Sequence, residues 1–320
     1  MSSLARYLDP EVIQQVSRLD LRARFIVEGF LAGLHSSPFH GFSVEFSEHR
    51  KYVKGDDPRT IDWSVFARTD RLYVRKYQAE THLACHLIVD ASASMGYVGA
   101  LGGGEPERRS RLGRARREPP SPQPAGKLMY VVHLAAALGY LITRQQDAVG
   151  LYVVGDGLEQ MLPPRSRRAD LVQMVSTLSS IVPRGRTGLA RGIHEALARI
   201  SHRGMVVVLS DLLTDAEELI EALHHIRFRG HDLIVMHVLD AGEAHFPFQG
   251  SVRLEDPESG ESLVADADAV RQRYLDGLHE WREKLRRAIE AARGDYLPLD
   301  TSTPFDKALV EFLTQRQRRR

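Results

Sequence analysis

From Met205 to Leu209 the chain reads Met-Val-Val-Val-Leu with no polar residue. A strand that is apolar at every position has no face to offer to water, so it has to lie in a sheet covered on both sides. Near-continuous apolar runs recur at 82–89, 148–154 and 232–239. Between them, 127–143, 169–181, 189–200 and 217–228 carry apolar residues at helical spacing. Strands and helices in alternation predict an α/β fold, a mostly parallel sheet with helices on both faces. Ligands of such sheets bind beyond the carboxyl ends of the strands.

Two strands deliver carboxylates to that edge. The run Leu87-Ile-Val stops at Asp90 and is followed by hydroxyls at alternate positions, Ser92 and Ser94. The Met205–Leu209 run ends at Ser210 and Asp211. A threonine can join them: Thr187 comes from the turn Arg184-Gly-Arg-Thr-Gly188 before a helix, and Thr177 and Thr214 are also candidates. Carboxylates and hydroxyls without nitrogen or sulfur are the donors of a hard cation such as Mg²⁺ or Mn²⁺. Such an ion would want one more carboxylate, offered by a partner or substrate. A plainer reading of the same residues is a strand-to-helix turn in which Asp90 and its serines cap backbone amides.

The rest of the chain divides around this stretch. Residues 1–80 form a small α+β unit. It has a helix over 9–33, a strand through Phe42, Val44 and Phe46, a turn over 55–63 capped by Asp57 with Pro58 in the first helical position, and a strand over 72–77. Trp63 is expected in the core of that unit. Residues 81–320 carry the alternating pattern, with two interruptions. Residues 97–126 are rich in Gly, Pro and Arg and predict a disordered insertion. Residues 246–264 read as a hairpin turning at Asp256-Pro-Glu-Ser-Gly260. A charged helix over 267–293, a strand over 296–299 and a closing helix over 304–315 follow.

Composition narrows the function. The formal net charge is +1, so the chain as a whole calls for no nucleic-acid or acidic partner. Six of its arginines lie between Glu105 and Glu118, which leaves the remainder slightly acidic. That basic loop lacks interleaved aromatics, so nucleic-acid binding through it is only an alternative. Cys85 is the single cysteine, the start of the chain has no apolar signal core, and the apolar run over 128–142 is short and broken by His133. A cytoplasmic protein with no membrane span is expected. The 14 histidines form no His-Glu-x-x-His helix, and His224, His225 and His231 are expected in packing or surface roles. A phosphate loop with lysine, a nucleophile elbow and a Cys/His pair are all missing from the sequence. A metal-dependent phosphatase or hydrolase using Asp90 is the enzymatic alternative. An aspartyl phosphatase of the haloacid dehalogenase type would normally place a second aspartate two residues on as general acid, where Ser92 stands, and a serine is a poor proton donor near neutrality.

The Asp-x-Ser-x-Ser pattern with a downstream Thr and Asp resembles the metal-ion-dependent adhesion site of von Willebrand factor A domains. The segments Glu45-Phe46, Arg50, Tyr52, Gly55-Asp-Asp-Pro-Arg59, Ile61-Asp-Trp63, Ala67-Arg68 and Tyr73-Val74 resemble the bacterial family called domain of unknown function fifty-eight. That resemblance extends from about residue 39 to the end of the chain and includes Asp256-Pro-Glu-Ser-Gly-Glu261. It implies a von Willebrand factor A-like fold and a non-enzymatic, chaperone-like adaptor. It also implies Mg²⁺ or Mn²⁺ at Asp90, Ser92, Ser94, Thr187 and Asp211. The partners it implies are a MoxR-type AAA+ ATPase and a client protein offering an Asp or Glu to the metal, in protein maturation or complex assembly.

Overall fold

The computed structural model describes residues 44–53, 61–79, 84–99 and 126–303, which fall into two compact units. The helices expected over 9–33 and 304–315, Asp57 and Pro58, and residues 100–125 of the expected insertion lie outside the described residues.

In the smaller unit, β1 (Val44–Lys51) and β2 (Tyr73–Ala79) pair antiparallel with one irregularity between Phe46 and Glu48. Between them α1 (Trp63–Thr69) starts where the Asp62 carboxylate accepts from the amides of Ser64 and Val65 at 3.0 and 3.3 Å. An aspartate in this position satisfies amides that have no partner within the helix. Ile61 bridges to Val74, and both are buried. Trp63 departs from expectation: it is 60% exposed. The cap makes Trp63 the first helical residue while Asp62 itself faces inward, so the indole is left outside, edge-on to Phe66 at 5.9 Å.

The larger unit runs β3 (Ala84–Asp90), α2 (Lys127–Arg144), β4 (Ala148–Val154), β5 (Leu158–Arg165), α3 (Arg168–Ser179), α4 (Leu189–Leu197) and β6 (Gly204–Ser210). It continues through α5 (Ala216–Phe228), β7 (Asp232–Leu239), α6 (Ala241–His245), β8 (Ser251–Glu255), β9 (Ser262–Asp266), α7 (Ala267–Ala291) and β10 (Asp295–Asp300). Six strands form one sheet in the order β10-β7-β6-β3-β4-β5. All neighbours are parallel except β4 and β5. This is the α/β class expected from the sequence, in the doubly wound order. The antiparallel edge strand β5 was not anticipated. It contains Pro163 and Pro164, which a sheet tolerates at its edge and which break the apolar periodicity by which strands are recognised.

Side chains alternate across the sheet. Ile88, Tyr152, Val208 and Val235 face a core built with α4, α5 and α7. Leu87, Val89, Val207 and Leu209 take the opposite face, also fully buried, on which α2 packs. Burial pushes His86 and His237 down to about 4 and about 3, so both are neutral interior groups bonded to Tyr152 and Tyr296. Helix α4 lies so close to β4 that a Cβ on Gly192 would fall 2.1 Å from a Val154 methyl. Gly192→Ala is therefore expected to cost about 1–3 kcal/mol through overpacking. Urea unfolding measures it, and an unchanged midpoint would show that α4 can move away freely. No described helix is long and apolar enough to cross a membrane.

Candidate functional site

The chain leaves β3 for β4 on one side and resumes at β6 on the other, so the strand order reverses between β3 and β6. Doubly wound sheets open a crevice at that point. Asp90 closes β3 and Asp211 follows β6, so the two aspartates flank the crevice on adjacent strands.

Both are buried, at 1% and 0% exposure. Asp90 Oδ1 accepts the Ser92 amide at 2.9 Å, and Oδ2 accepts the Ser210 hydroxyl at 2.5 Å. Ser210 Oγ in turn accepts the Leu212 amide at 2.8 Å. Ser92 opens a single tight turn, Ala93–Gly96, which brings its hydroxyl to 3.1 Å from that of Ser94. Asp211 Oδ2 accepts from Lys127 Nζ at 2.7 Å and Oδ1 from the Leu213 amide at 3.2 Å. The next residue, Leu212, is fully buried with φ 58°. A branched side chain in the left-handed region costs on the order of 1 kcal/mol, and such strain concentrates at functional sites.

Lys127 is the first residue of α2, where a cation opposes the helix dipole, and it is wholly buried there. It is held by two carboxylates, Asp211 and Glu243, each at 2.7 Å, and lies 5.7 Å from the centre of the Tyr97 ring. Glu243 is aimed by a capping box at the start of α6: its other oxygen accepts the Asp240 amide at 3.0 Å. Burial would lower the Lys127 ammonium, but the two carboxylates outweigh it and the net shift is upward. Burial raises Glu243 despite Lys127. Asp90 is raised from 3.8 to about 6 by burial and then by the charge of Asp211, against the pull of Ser210 and Ser92. Asp90, Asp211 and Glu243 together with the one ammonium of Lys127 leave these four groups two charges negative when all are ionised.

The Thr187 turn is brought to this edge by backbone bonds on both sides. The Arg184 amide donates to the Ala91 carbonyl at 3.0 Å, the Ala93 amide to Gly185 at 3.1 Å, and the Gly188 amide to Gly155 at 2.8 Å. Gly188 has to be glycine, because a Cβ would lie 2.7 Å from the Asp156 backbone. Thr187 is half-buried at the rim. Its amide and hydroxyl both donate to Glu258 of the β8–β9 turn, the amide at 3.1 Å. Thr177 sits inside α3, and Thr214 lies beyond Asp211 on the wall of an open apolar groove of about 760 Å³ shared with Leu213, Leu254, Leu263, Tyr274 and Trp281.

Four participants escaped the sequence reading: Lys127, Ser210, Glu243 and Glu258. Two had a signal. A lysine opening an otherwise apolar buried helix needs a counter-charge, and Asp240-Ala-Gly-Glu243 has capping-box spacing. Ser210, at the end of β6, and Glu258, in the hairpin turn, carry no such signal in sequence.

The donors suit a hard cation. No group of three or more His, Cys, Asp or Glu side chains that could hold a metal occurs among the described residues, so an ion here would depend on hydroxyls. The 3.1 Å between Ser92 and Ser94 matches the edge of about 3.0 Å between neighbouring oxygens in an octahedron with bonds near 2.1 Å. The net charge of the cluster is that balanced by one divalent ion. His231 and His225 are engaged instead with the Gly204 amide and His194.

The chain is 28% identical over 314 residues to uncharacterized protein Rv1480 of Mycobacterium tuberculosis, covering 97% of this chain and 91% of that protein. Among solved structures it resembles conserved hypothetical protein BatB from Bacteroides thetaiotaomicron, with a TM-score of 0.46, 17% identity and coverage of 74% and 100%. It also resembles von Willebrand factor type A from Catenulispora acidiphila, with a TM-score of 0.40, 11% identity and coverage of 76% and 43%. The sequence profile of the family described as protein of unknown function DUF58 matches residues 48–105 and 121–284, more than half of the chain. The chain belongs to that family.

Proposed function

We propose that this protein is a non-enzymatic interaction module that binds a divalent cation, Mg²⁺ or Mn²⁺, at the β3/β6 edge. Asp90, Ser92, Ser94, Thr187 and Asp211 would hold the ion, and the ion would offer a positive docking point to an acidic residue of a partner. The observation that carries this reading is the meeting of two buried aspartates and two hydroxyls at the switch point, where Asp90, Asp211 and Glu243 face a single ammonium, that of Lys127. The apolar groove that starts at Leu213 supports it further, since exposed apolar surface beside a polar site suits protein docking. In this reading a MoxR-type AAA+ ATPase supplies the ATP hydrolysis, and the chain presents its metal edge to a client or to the motor.

Isothermal calorimetry tests the core of the proposal. Mn²⁺ or Mg²⁺ at millimolar concentration is expected to bind the native chain and to give no heat of binding with Asp90→Ala. Absence of binding to the native chain removes the cation from the proposal.

A phosphatase reading draws on one observation, the Lys127 ammonium beside Asp211. Both its carboxylate partners already occupy it, and both oxygens of Asp90 accept bonds from the chain itself. Turnover of p-nitrophenyl phosphate that is lost in Asp90→Asn would reverse the order of the two readings.

A further inference from the structure

Helix α7 runs for 25 residues, yet only Ala267, Leu285 and Ile289 of it are buried. Between them Val270, Tyr274, Leu278 and Trp281 repeat at spacings of four, four and three, which puts them on one face. They line the open groove that starts at Leu213. The β8–β9 hairpin supplies another wall. Leu254 pairs with Leu263 and Val252 with Ala265, so one face of the hairpin is apolar throughout, and Leu254, Leu263 and Ala265 reach the groove. Leu263 is nonetheless 63% exposed. The walls are fixed in the free chain. The Tyr274 hydroxyl donates to the Glu243 carbonyl at 2.9 Å, its ring packs on buried Phe246 at 4.7 Å, and Arg271 holds the Phe246 and Phe248 carbonyls. A docking surface that is already formed loses little entropy on binding.

Two features of this groove select what fits it. Gly277 stands in the middle of α7 on the groove wall, and a Cβ there would meet nothing within 4 Å. A mid-helix glycine weakens a helix relative to alanine, and no packing among the described residues calls for one here. The gap it leaves suits the close approach of another backbone. The second feature is Arg273, exposed on the same wall. Its neighbours four residues away on α7 are Ala269 and Gly277, and Asp276, three residues on, accepts from Gln272 at 2.8 Å. Among the described residues the Arg273 guanidinium has no ion pair or hydrogen bond. An unpaired guanidinium on an apolar wall is complementary to a carboxylate. From Val270 to Trp281 the wall is about 16 Å long at roughly 1.5 Å per residue, the length of about three turns of a second helix.

We propose that this groove docks an amphipathic helix of a partner protein, with its apolar face against α7 and the hairpin, its backbone close over Gly277 and an Asp or Glu side chain on Arg273. This rests on the reading of the chain as an interaction module, and not on the cation. A groove that is open to solvent leaves a small ligand largely in water, whereas a helix covers it from one side.

A display library of peptides about 15 residues long, roughly four helical turns, tests this when selected against the full chain in chelator. Leucine or phenylalanine is fixed at helical spacing and every other position is random. The chain has two tryptophans and Trp63 is exposed, so Trp63→Phe leaves Trp281 as the single reporter of the groove. Selected peptides are expected to carry an excess of Asp and Glu and to shift Trp281 emission to shorter wavelength on binding. Gly277→Leu, which has room in the free chain, should weaken them roughly tenfold or more without lowering the melting temperature. Arg273→Gln should weaken them about threefold to tenfold and remove the preference for Glu over Gln in the peptide. A selection without binders, binders without acidic residues, or binders that Gly277→Leu leaves unchanged overturns the proposal. So does a native dimer that Gly277→Leu dissociates, which assigns the groove to a second copy of the chain. The chelator keeps the two sites apart: failure here leaves the calorimetric test of the cation standing, and failure of that test leaves the groove standing.

Discussion

Lys127→Met is expected to destabilise the larger unit by about 3–5 kcal/mol, the range found when one partner of a buried ion pair is removed. Methionine fits the volume, so the loss is electrostatic: Asp211 and Glu243 stay behind without their ammonium. The loss should depend on pH in a definite direction. As the pH falls, a stranded carboxylate whose proton affinity burial has raised takes a proton, so the variant recovers part of the difference. Glu243, already raised by burial, should be among the first to do so. In the native chain the Lys127 ammonium is held above its ordinary 10.5. Its contribution is therefore complete below that value and is lost as the pH climbs past it. Chemical unfolding at pH 4.5 and 7 measures the first effect, and unfolding above pH 10.5 the second. A loss under 1 kcal/mol, or one that does not change with pH, would mean that water reaches the cluster and the pair is not a buried one.

Asp90→Asn should act in the opposite sense, stabilising the metal-free protein at neutral pH. The Asp90 carboxyl is raised from 3.8 to about 6 by burial and by Asp211. Its folded form thus favours the proton, so its contribution is present below pH 3.8 and is lost as the pH rises through about 6. At pH 7 the ionised carboxylate costs up to about 3 kcal/mol, taking roughly 1.4 kcal/mol per pKa unit. Asparagine keeps an oxygen for the Ser92 amide and removes that charge. In chelator, Asp90→Asn is expected to melt higher than the native protein at pH 7 and alike near pH 4. Added Mg²⁺ should raise the native melting temperature in proportion to the logarithm of its concentration and leave the variant unmoved. A variant that melts lower at pH 7 would show Asp90 to be a structural cap. A site whose native residue opposes stability is what a ligand-binding role leaves behind.

The α/β class, the identity of the five parallel strands and the edge at which Asp90 and Asp211 meet were legible in the sequence. Each rests on short-range chemistry: uninterrupted apolar runs must be buried on both faces, and a carboxylate that ends such a run must lie at its mouth. The Asp-x-Ser-x-Ser spacing belongs to the same class, because it is set by one tight turn. Trp63 misled for a related reason. Its size argues for burial, but the cap at Asp62 decides which way the first helical residue points. The edge strand β5 was hidden by its prolines.

What only the tertiary structure decided is the company that Asp90, Ser92, Ser94, Thr187 and Asp211 keep. Lys127 lies 84 residues from Asp211 and 116 from Glu243, and Glu258 lies 71 from Thr187. No local periodicity links such pairs, since they meet only because β3 and β6 are neighbours and the hairpin folds back over the Thr187 turn. Alternation and spacing state which residues reach the edge of the sheet. The charge balance at that edge follows from contacts that form only when distant turns are packed against one another.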